Sequence, residues 1–318
     1  MIWIWLAFLA LIVGLLVFDL CFINREAHVI PMRAALGWTV FYAVLAVAFG
    51  GFVYLMFQNG WAGAGTHFSV GLGASEAFFQ YLTAWLLEKS LSLDNVFVIA
   101  LVFAYFGVPL SQQHRVLFWG ILGALVMRGI MIALGAVLIT RFDWIVYVFG
   151  GILLLTAGKL FFAGDEEVHP DRNLFVRFFR RLYPVTPEFH GAHFFVLQNG
   201  RRAMTPLFLA LVVVESTDLL FAVDSIPAVF AVTQDPFLVF TSNIFAILGL
   251  RTLYFALAGL MERFRHVKSA LVFILAYVGV KMMLAHHVKI PDLLSLGLIA
   301  VALTAGVLVS LRAPPRKP

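Results

Sequence analysis

Nine stretches of this chain are apolar for about the length that a bilayer demands or more, the third and sixth being longer and interrupted by acids. They cover about 2–22, 36–57, 78–106, 116–139, 143–162, 205–231, 237–260, 270–285 and 293–311. A helix needs roughly 20 such residues to cross a hydrocarbon core. Composition points the same way: of 318 residues, 62% are hydrophobic and 12% are charged. A soluble domain is typically about half apolar and about a quarter charged, and it cannot bury such an excess. Soluble, disordered and disulfide-scaffold classes are thereby excluded. The expected fold is an all-α polytopic membrane protein with about nine transmembrane helices.

The first segment has no basic leader and no A-x-A site, so it is expected to be a span and not a signal peptide. The single cysteine, Cys21, forms no intrachain disulfide and builds no Cys-rich metal site.

Charge bias orients the spans. With the N-terminus outside, fifteen lysines and arginines fall in inside loops and the tail, and two, Arg141 and Lys289, fall in outside loops. Basic loops stay cytoplasmic, so the orientation expected is N-out and C-in, with an odd number of spans. The net charge of +5 then reflects basic loops, and no nucleic-acid partner is expected.

Ten charged residues lie well within the spans: Glu88, Asp94, Glu215, Asp218 and Asp224, against Lys89, Arg128, Lys159, Arg251 and Lys281. Each costs roughly 2.5–3.5 kcal/mol at a helix centre, so ten uncompensated charges would cost about 25–35 kcal/mol. Typical folding stabilities are only about 5–15 kcal/mol. These groups must face the bundle interior, pair with one another or line a wet cavity. A single buried pair often serves only to fix helix register. Five acids crowded on two segments repel one another unless a cation or protons join them.

The charges also repeat. Ser92-Leu93-Asp94-Asn95-Val96-Phe97-Val98-Ile99 and Ser216-Thr217-Asp218-Leu219-Leu220-Phe221-Ala222-Val223 share one pattern, each with a glutamate upstream. Arg128 follows Asp94 by 34 residues and Arg251 follows Asp218 by 33; Lys159 and Lys281 follow in turn after 31 and 30. The spacing predicts a duplicated unit of three spans. Three is odd, so the copies, spans 3–5 and 6–8, would be inverted, as in many secondary transporters. The expected organisation is a two-helix flank at 1–57, a first repeat at 78–162, a basic cytoplasmic linker at 163–204, a second repeat at 205–285 and a C-terminal helix and tail at 293–318.

Glu215 and Asp218 share a helix face. Asp224 lies about 240° further round a regular helix. A break at 223–227, caused by Pro227, is expected to swing it back and free carbonyl oxygens. Asn95, Ser90, Ser92 and Asn243 add neutral oxygens. The donor set is all oxygen, which suits Mg²⁺, Ca²⁺ or Mn²⁺ better than Cu(I) or Zn²⁺. The methionines in the spans are expected to pack. The histidines at 169, 190 and 193 on the linker, and at 286 and 287 near the outer surface, are expected to be solvated or structural. No Walker A, H-E-x-x-H or G-x-S-x-G run occurs, so no enzymatic activity is expected.

Glu88-Lys89-Ser90-Leu91-Ser92-Leu93-Asp94-Asn95 and Glu215-Ser216-Thr217-Asp218-Leu219-Leu220-Phe221-Ala222-Val223-Asp224-Ser225-Ile226-Pro227 resemble the two signature segments of the TerC family. The opening Asp19 and Asn24-Arg25-Glu26-Ala27-His28 resemble its first loop. Length, span layout and basic linker match the Alx branch. The resemblance implies Mn²⁺ export across the bacterial inner membrane, with no cofactor and with Mn²⁺ as the transported ion. It puts the functional acids at Glu88, Asp94, Glu215, Asp218 and Asp224. Asn95, Ser92 and Asn243 are expected to support them, and Arg128, Arg251, Lys159 and Lys281 to act as counter-charges. Protons are the expected exchange partner, because crowded carboxylates take them up when the metal leaves. Membrane lipid is the other expected partner. The residues alone give a divalent cation without choosing among Mn²⁺, Ca²⁺, Mg²⁺ and Fe²⁺, and they give no oligomeric state. A membrane scaffold that binds cytoplasmic partners through 163–204 is the alternative.

Overall fold

A computed structural model describes residues 2–18, 32–65, 69, 71–162, 173–198, 200–257, 267–285, 287–288 and 290–312. In chain order the elements are α1 (Ile2–Phe18), α2 (Met32–Gln58), α3 (Ala74–Phe106), α4 (Leu110–Arg141), α5 (Ile145–Phe162) and a short α6 (Leu174–Leu182). A hairpin of β1 (Phe195–Gln198) and β2 (Arg201–Met204) follows, then α7 (Pro206–Phe230), α8 (Pro236–Ile247), α9 (Leu250–Leu257), α10 (Val267–Met283) and α11 (Asp292–Arg312). Cys21, the 24–28 pattern, Arg172, His169, Arg263, Arg265, His286, Lys289 and the tail from 313 lie outside the described residues.

The stops and starts have local causes. Gly107 ends α3 in the left-handed region, at φ 64, and its N–H bonds back to the carbonyls of Ala104 and Phe103. Pro206 and Pro236 open α7 and α8, where a missing N–H costs nothing. The Asp235 side chain caps α8 by accepting from the N–H groups of Phe237 and Leu238.

The chain is a multi-pass helical membrane protein. Six helical stretches among the described residues are long and apolar enough to cross a bilayer: α2, α4, α5, α7, the α8–α9 stretch and α11. The burial pattern is inverted relative to a soluble protein. On α4, Val126, Ile130, Leu134 and Val137 are all more than half exposed, at 54–59%. They sit three or four residues apart and form one outward stripe. Arg128, on the inward side, is only 1% exposed. Apolar side chains face lipid and charge faces the bundle, as the insertion cost requires.

One expectation about helix continuity is corrected. Pro227 does not break its helix: α7 runs unbroken from Pro206 to Phe230. The proline lies in the last turn, so the helix ends soon after the one carbonyl that it deprives, that of Val223. A break falls instead in the seventh segment, expected as one span over 237–260 and long and apolar enough to be one over Pro236–Leu257. There α8 stops at Ile247 and α9 starts at Leu250. Gly249 turns the chain at φ 81, and a Cβ at that position would lie 2.9 Å from the Tyr42 ring. Glycine is the residue that tolerates both demands.

Glycine also sets how closely α5 and α10 approach. A Cβ at Gly150 would lie 2.7 Å from Met283, and one at Gly279 would lie 3.1 Å from Leu154. Small residues let membrane helices pack backbone to backbone, where dispersion replaces the absent hydrophobic drive.

Candidate ion site

Arg128 is the hub of the buried polar groups. It projects from α4 and forms an ion pair with Glu88 of α3. It also donates to Asp218 Oδ1 of α7 at 3.2 Å and to Asn243 Oδ1 of α8 at 3.0 Å. Asn95 of α3 donates to the same Asp218 oxygen at 3.2 Å. Glu88, Asn95, Arg128 and Asn243 are all buried, and the Asp218 side chain is 13% exposed. Four helices thus meet at one guanidinium. A planar fork with five donors suits this task better than a lysine's point charge.

The cluster is not fully satisfied. Glu88 Oε2, Asn95 Oδ1 and Asp218 Oδ2 are buried oxygens without a hydrogen-bond partner. Nearly all buried polar atoms in proteins are paired, so three such oxygens together call for an explanation. All three are hard donors of the kind that a divalent cation takes. A cavity of about 20 Å³ borders Asn95, Thr217 and Asp218. A much larger one, of about 700 Å³, opens where α3 and α8 begin and α7 and α10 end, lined by Glu76, Gln80, Thr233, Gln234 and Asp235 among others.

The remaining expected site residues lie outside the Arg128 contacts, although Glu215 stays near enough to Asp218 for their like charges to interact. Glu215 lies against α4, where its carboxylate occupies the space that a Cβ at Gly123 would take. Asp224 points to α5 and accepts from Thr156 Oγ1 at 2.7 Å. That direction follows from the unbroken α7, which leaves Asp224 far around the helix from Asp218. Lys159, one turn from Thr156, supplies the charge nearest in effect to Asp224. Asp94 feels the charge of Lys268 on α10. Among the described residues, no three acidic, histidine or cysteine side chains come together as a metal cage.

The supporting and counter-charge roles also divide. Asn95 and Asn243 belong to the hub. Ser92 does not: its hydroxyl donates to the Glu88 carbonyl of its own helix at 2.8 Å. Arg251 is buried on α9, and its charge is felt by His114 at the start of α4. Lys281 does not answer any of the five acids. It pairs with Asp292 of α11 at 3.4 Å and donates to Ser295 at 3.0 Å. Its partner sits at the start of α11, close in sequence across a short loop, so the pair forms locally.

One functional contact was not read from the sequence. Lys89 donates to the carbonyl oxygens of Ala246 at 3.1 Å and Leu248 at 3.5 Å. These are carbonyls at the break between α8 and α9, which have no helical partner further on. A partly buried ammonium therefore supports the backbone at the break. The signal available was Gly249, preceded by a long apolar run and followed by Arg251.

The family described as integral membrane protein TerC matches residues 74–317. A Myxococcus xanthus protein named uncharacterized membrane protein STKORF319 is 46% identical over 307 residues, which are 96% of this chain and 91% of that one. The Alx proteins of Salmonella typhi and Escherichia coli K12 are 42% and 43% identical, over 96% and 93% of this chain and 93% and 90% of theirs. Their names describe them as membrane-bound redox modulators. No solved structure matches the chain.

Proposed function

This chain belongs to the TerC family of integral membrane proteins, and on that premise we propose that it exports a divalent cation, Mn²⁺ first among them, by alternating access. The observation that carries the proposal is the Arg128 hub: one cationic side chain holds Glu88 and Asp218 together beside three unpaired buried oxygens. Arg128 stands where a metal ion would neutralise the same carboxylates. Entry of the ion displaces the guanidinium, and Glu88, Asp218 and the side-chain oxygens of Asn95 and Asn243 become the donors. Asp94 and Asp224 lie off this centre, while Glu215 stays near enough to Asp218 for their charges to interact. Protons replace the metal on the carboxylates when it leaves, since crowded acids hold them more readily.

The proposed architecture has nine spans with spans 3–5 and 6–8 as inverted repeats, in a bacterial inner membrane, with the N-terminus outside. The fifteen-to-two charge bias supports the orientation. The packing of α3 on α7 and of α5 on α10, matching members of the two copies, supports the repeat. The interrupted α8–α9 span supports a transporter-like site, since unwound backbone is tolerated where it lines a polar path.

The redox role in the relatives' names is not carried over. One cysteine within these 318 residues leaves no dithiol couple inside a chain. The proposal includes no cofactor and no enzymatic step.

The test is total manganese in cells challenged with the metal and expressing wild type, Glu88→Gln or Asp218→Asn. Wild type is expected to keep cellular manganese low, and each variant to let it rise. Variants that keep manganese as low as wild type would overturn the site assignment.

A further inference from the structure

The linker between α5 and α7 carries a helix with three distinct faces. At about 100° per residue, Val176 and Phe179 point one way, Leu174, Phe175, Phe178 and Leu182 a second way, and Arg177, Arg180 and Arg181 a third. The first face is docked on the bundle. Val176 is fully buried, and the Phe179 ring lies 5.4 Å from the Phe208 ring of α7. The second face is bare: Leu174 is 75% exposed and Phe178 56%.

The neighbouring hairpin extends the pattern. Leu197 is 77% exposed and pairs in register with Arg202. Tyr183 and Phe195 meet edge to face, with ring centroids 6.0 Å apart, between helix and hairpin. The hairpin base is held by the Arg115 guanidinium over the Phe194 ring, at 5.2 Å. Over 173–204 there are five arginines, and Glu188 is the only acid.

We propose that α6 and the β1–β2 hairpin form a docking surface for the anionic headgroups of the membrane that the chain itself crosses. The bare apolar face enters the boundary between headgroups and acyl chains, and the arginines meet the phosphates. An amphipathic helix with arginines on its polar side and Phe and Leu on the other has the composition of an interfacial helix. Placement agrees, because α6 and the hairpin lie between the end of α5 and the start of α7, where the chain leaves and re-enters the bilayer. In water the same face would be an aggregation hazard. Charge complementarity favours an acidic lipid leaflet over a neutral one.

The surface is also wired to the hub. Asn173 caps α6 by accepting from the N–H groups of Phe175 and Val176, and its Nδ2 donates to Ser216 Oγ of α7 at 2.6 Å. Ser216 stands between Glu215 and Asp218. The helix that reads the lipid is therefore hydrogen-bonded to the helix that carries the central acid. The inference does not depend on the transport reading, and its test does not use transport.

The full chain is placed in nanodiscs of phosphatidylcholine alone or of an equal mixture with phosphatidylglycerol, and amide exchange over 174–182 is followed. Exchange is expected to slow about fivefold or more in the acidic discs, and high salt is expected to remove most of the difference. The combined Arg177→Gln, Arg180→Gln, Arg181→Gln variant is expected to lose the lipid dependence while exchange in α3 and α7 keeps its wild-type rate, which reports an intact fold. Equal exchange of wild type in the two lipids overturns the proposal. So does a lipid dependence that survives in the triple variant.

Discussion

Arg128 on α4 donates to Asp218 on α7 across 3.2 Å, although 90 residues separate them in sequence. The same guanidinium pairs with Glu88. Removing it strands two carboxylates away from water. Arg128→Leu is expected to destabilise the protein by about 3–5 kcal/mol, the usual cost of leaving a buried charge unpaired. Adding Glu88→Gln and Asp218→Asn is expected to recover most of that loss. Thermal unfolding of the purified protein in detergent reads both, and a triple variant no more stable than the single one would contradict the pairing.

Arg128→Lys keeps the charge and loses the fork. A lysine cannot reach Glu88, Asp218 and Asn243 together with the same geometry. The expected result is a melting temperature between those of wild type and Arg128→Leu. Equality with wild type would mean that charge alone holds the hub.

Asp224 and Thr156 are in contact at 2.7 Å, whereas Glu215 lies on the α4 side of α7. A double-mutant cycle of Asp224→Asn with Thr156→Val is expected to give a coupling of about 0.5–3 kcal/mol. The cycle of Asp224→Asn with Glu215→Gln is expected to stay within about 0.5 kcal/mol of additivity. The reverse ranking would mean that Asp224 swings back to the other acids.

At the α8–α9 break, Gly249→Ala must take a positive φ against the Tyr42 ring. A loss of about 1–3 kcal/mol is expected. Lys89→Met removes the donor to the Ala246 and Leu248 carbonyls and is expected to speed amide exchange around 246–252. Unchanged exchange would show that the ammonium does not support the break.

Lys281 answers Asp292 and not the central acids. Lys281→Gln is therefore expected to leave metal flux near wild type, in contrast to Arg128→Leu. Flux lost equally in both would return Lys281 to the central charge network.

The apolar segments were legible because bilayer thickness fixes their length. The hub was partly legible for an energetic reason: charge inside a span is costly, so Glu88, Arg128 and Asp218 stood out. Asn243 was found as a spare oxygen, but its bond to Arg128 needed the fold. What the sequence hid was direction. Pro227 suggested a break, yet a proline in the last turn of α7 disturbs little. Gly249 carried the true break, and its positive φ is visible only once the backbone is folded. Lys89 was counted among the bases inside the spans but given no role, because the carbonyls that it serves lie 157 residues away in sequence. Glu215 depends on the absence of a side chain at Gly123 on another helix, a relation that spacing along the chain does not encode.

The most direct measurement is metal movement through purified protein reconstituted in vesicles, with Mn²⁺, Ca²⁺ and Mg²⁺ compared with and without a pH gradient. Wild type is expected to move Mn²⁺, faster when protons can flow the other way, and Asp218→Asn and Glu88→Gln are expected to stop it while the protein stays folded. Vesicles in which wild type moves no divalent cation, or in which the two variants move Mn²⁺ as fast as wild type, would contradict an ion path through the Arg128 hub.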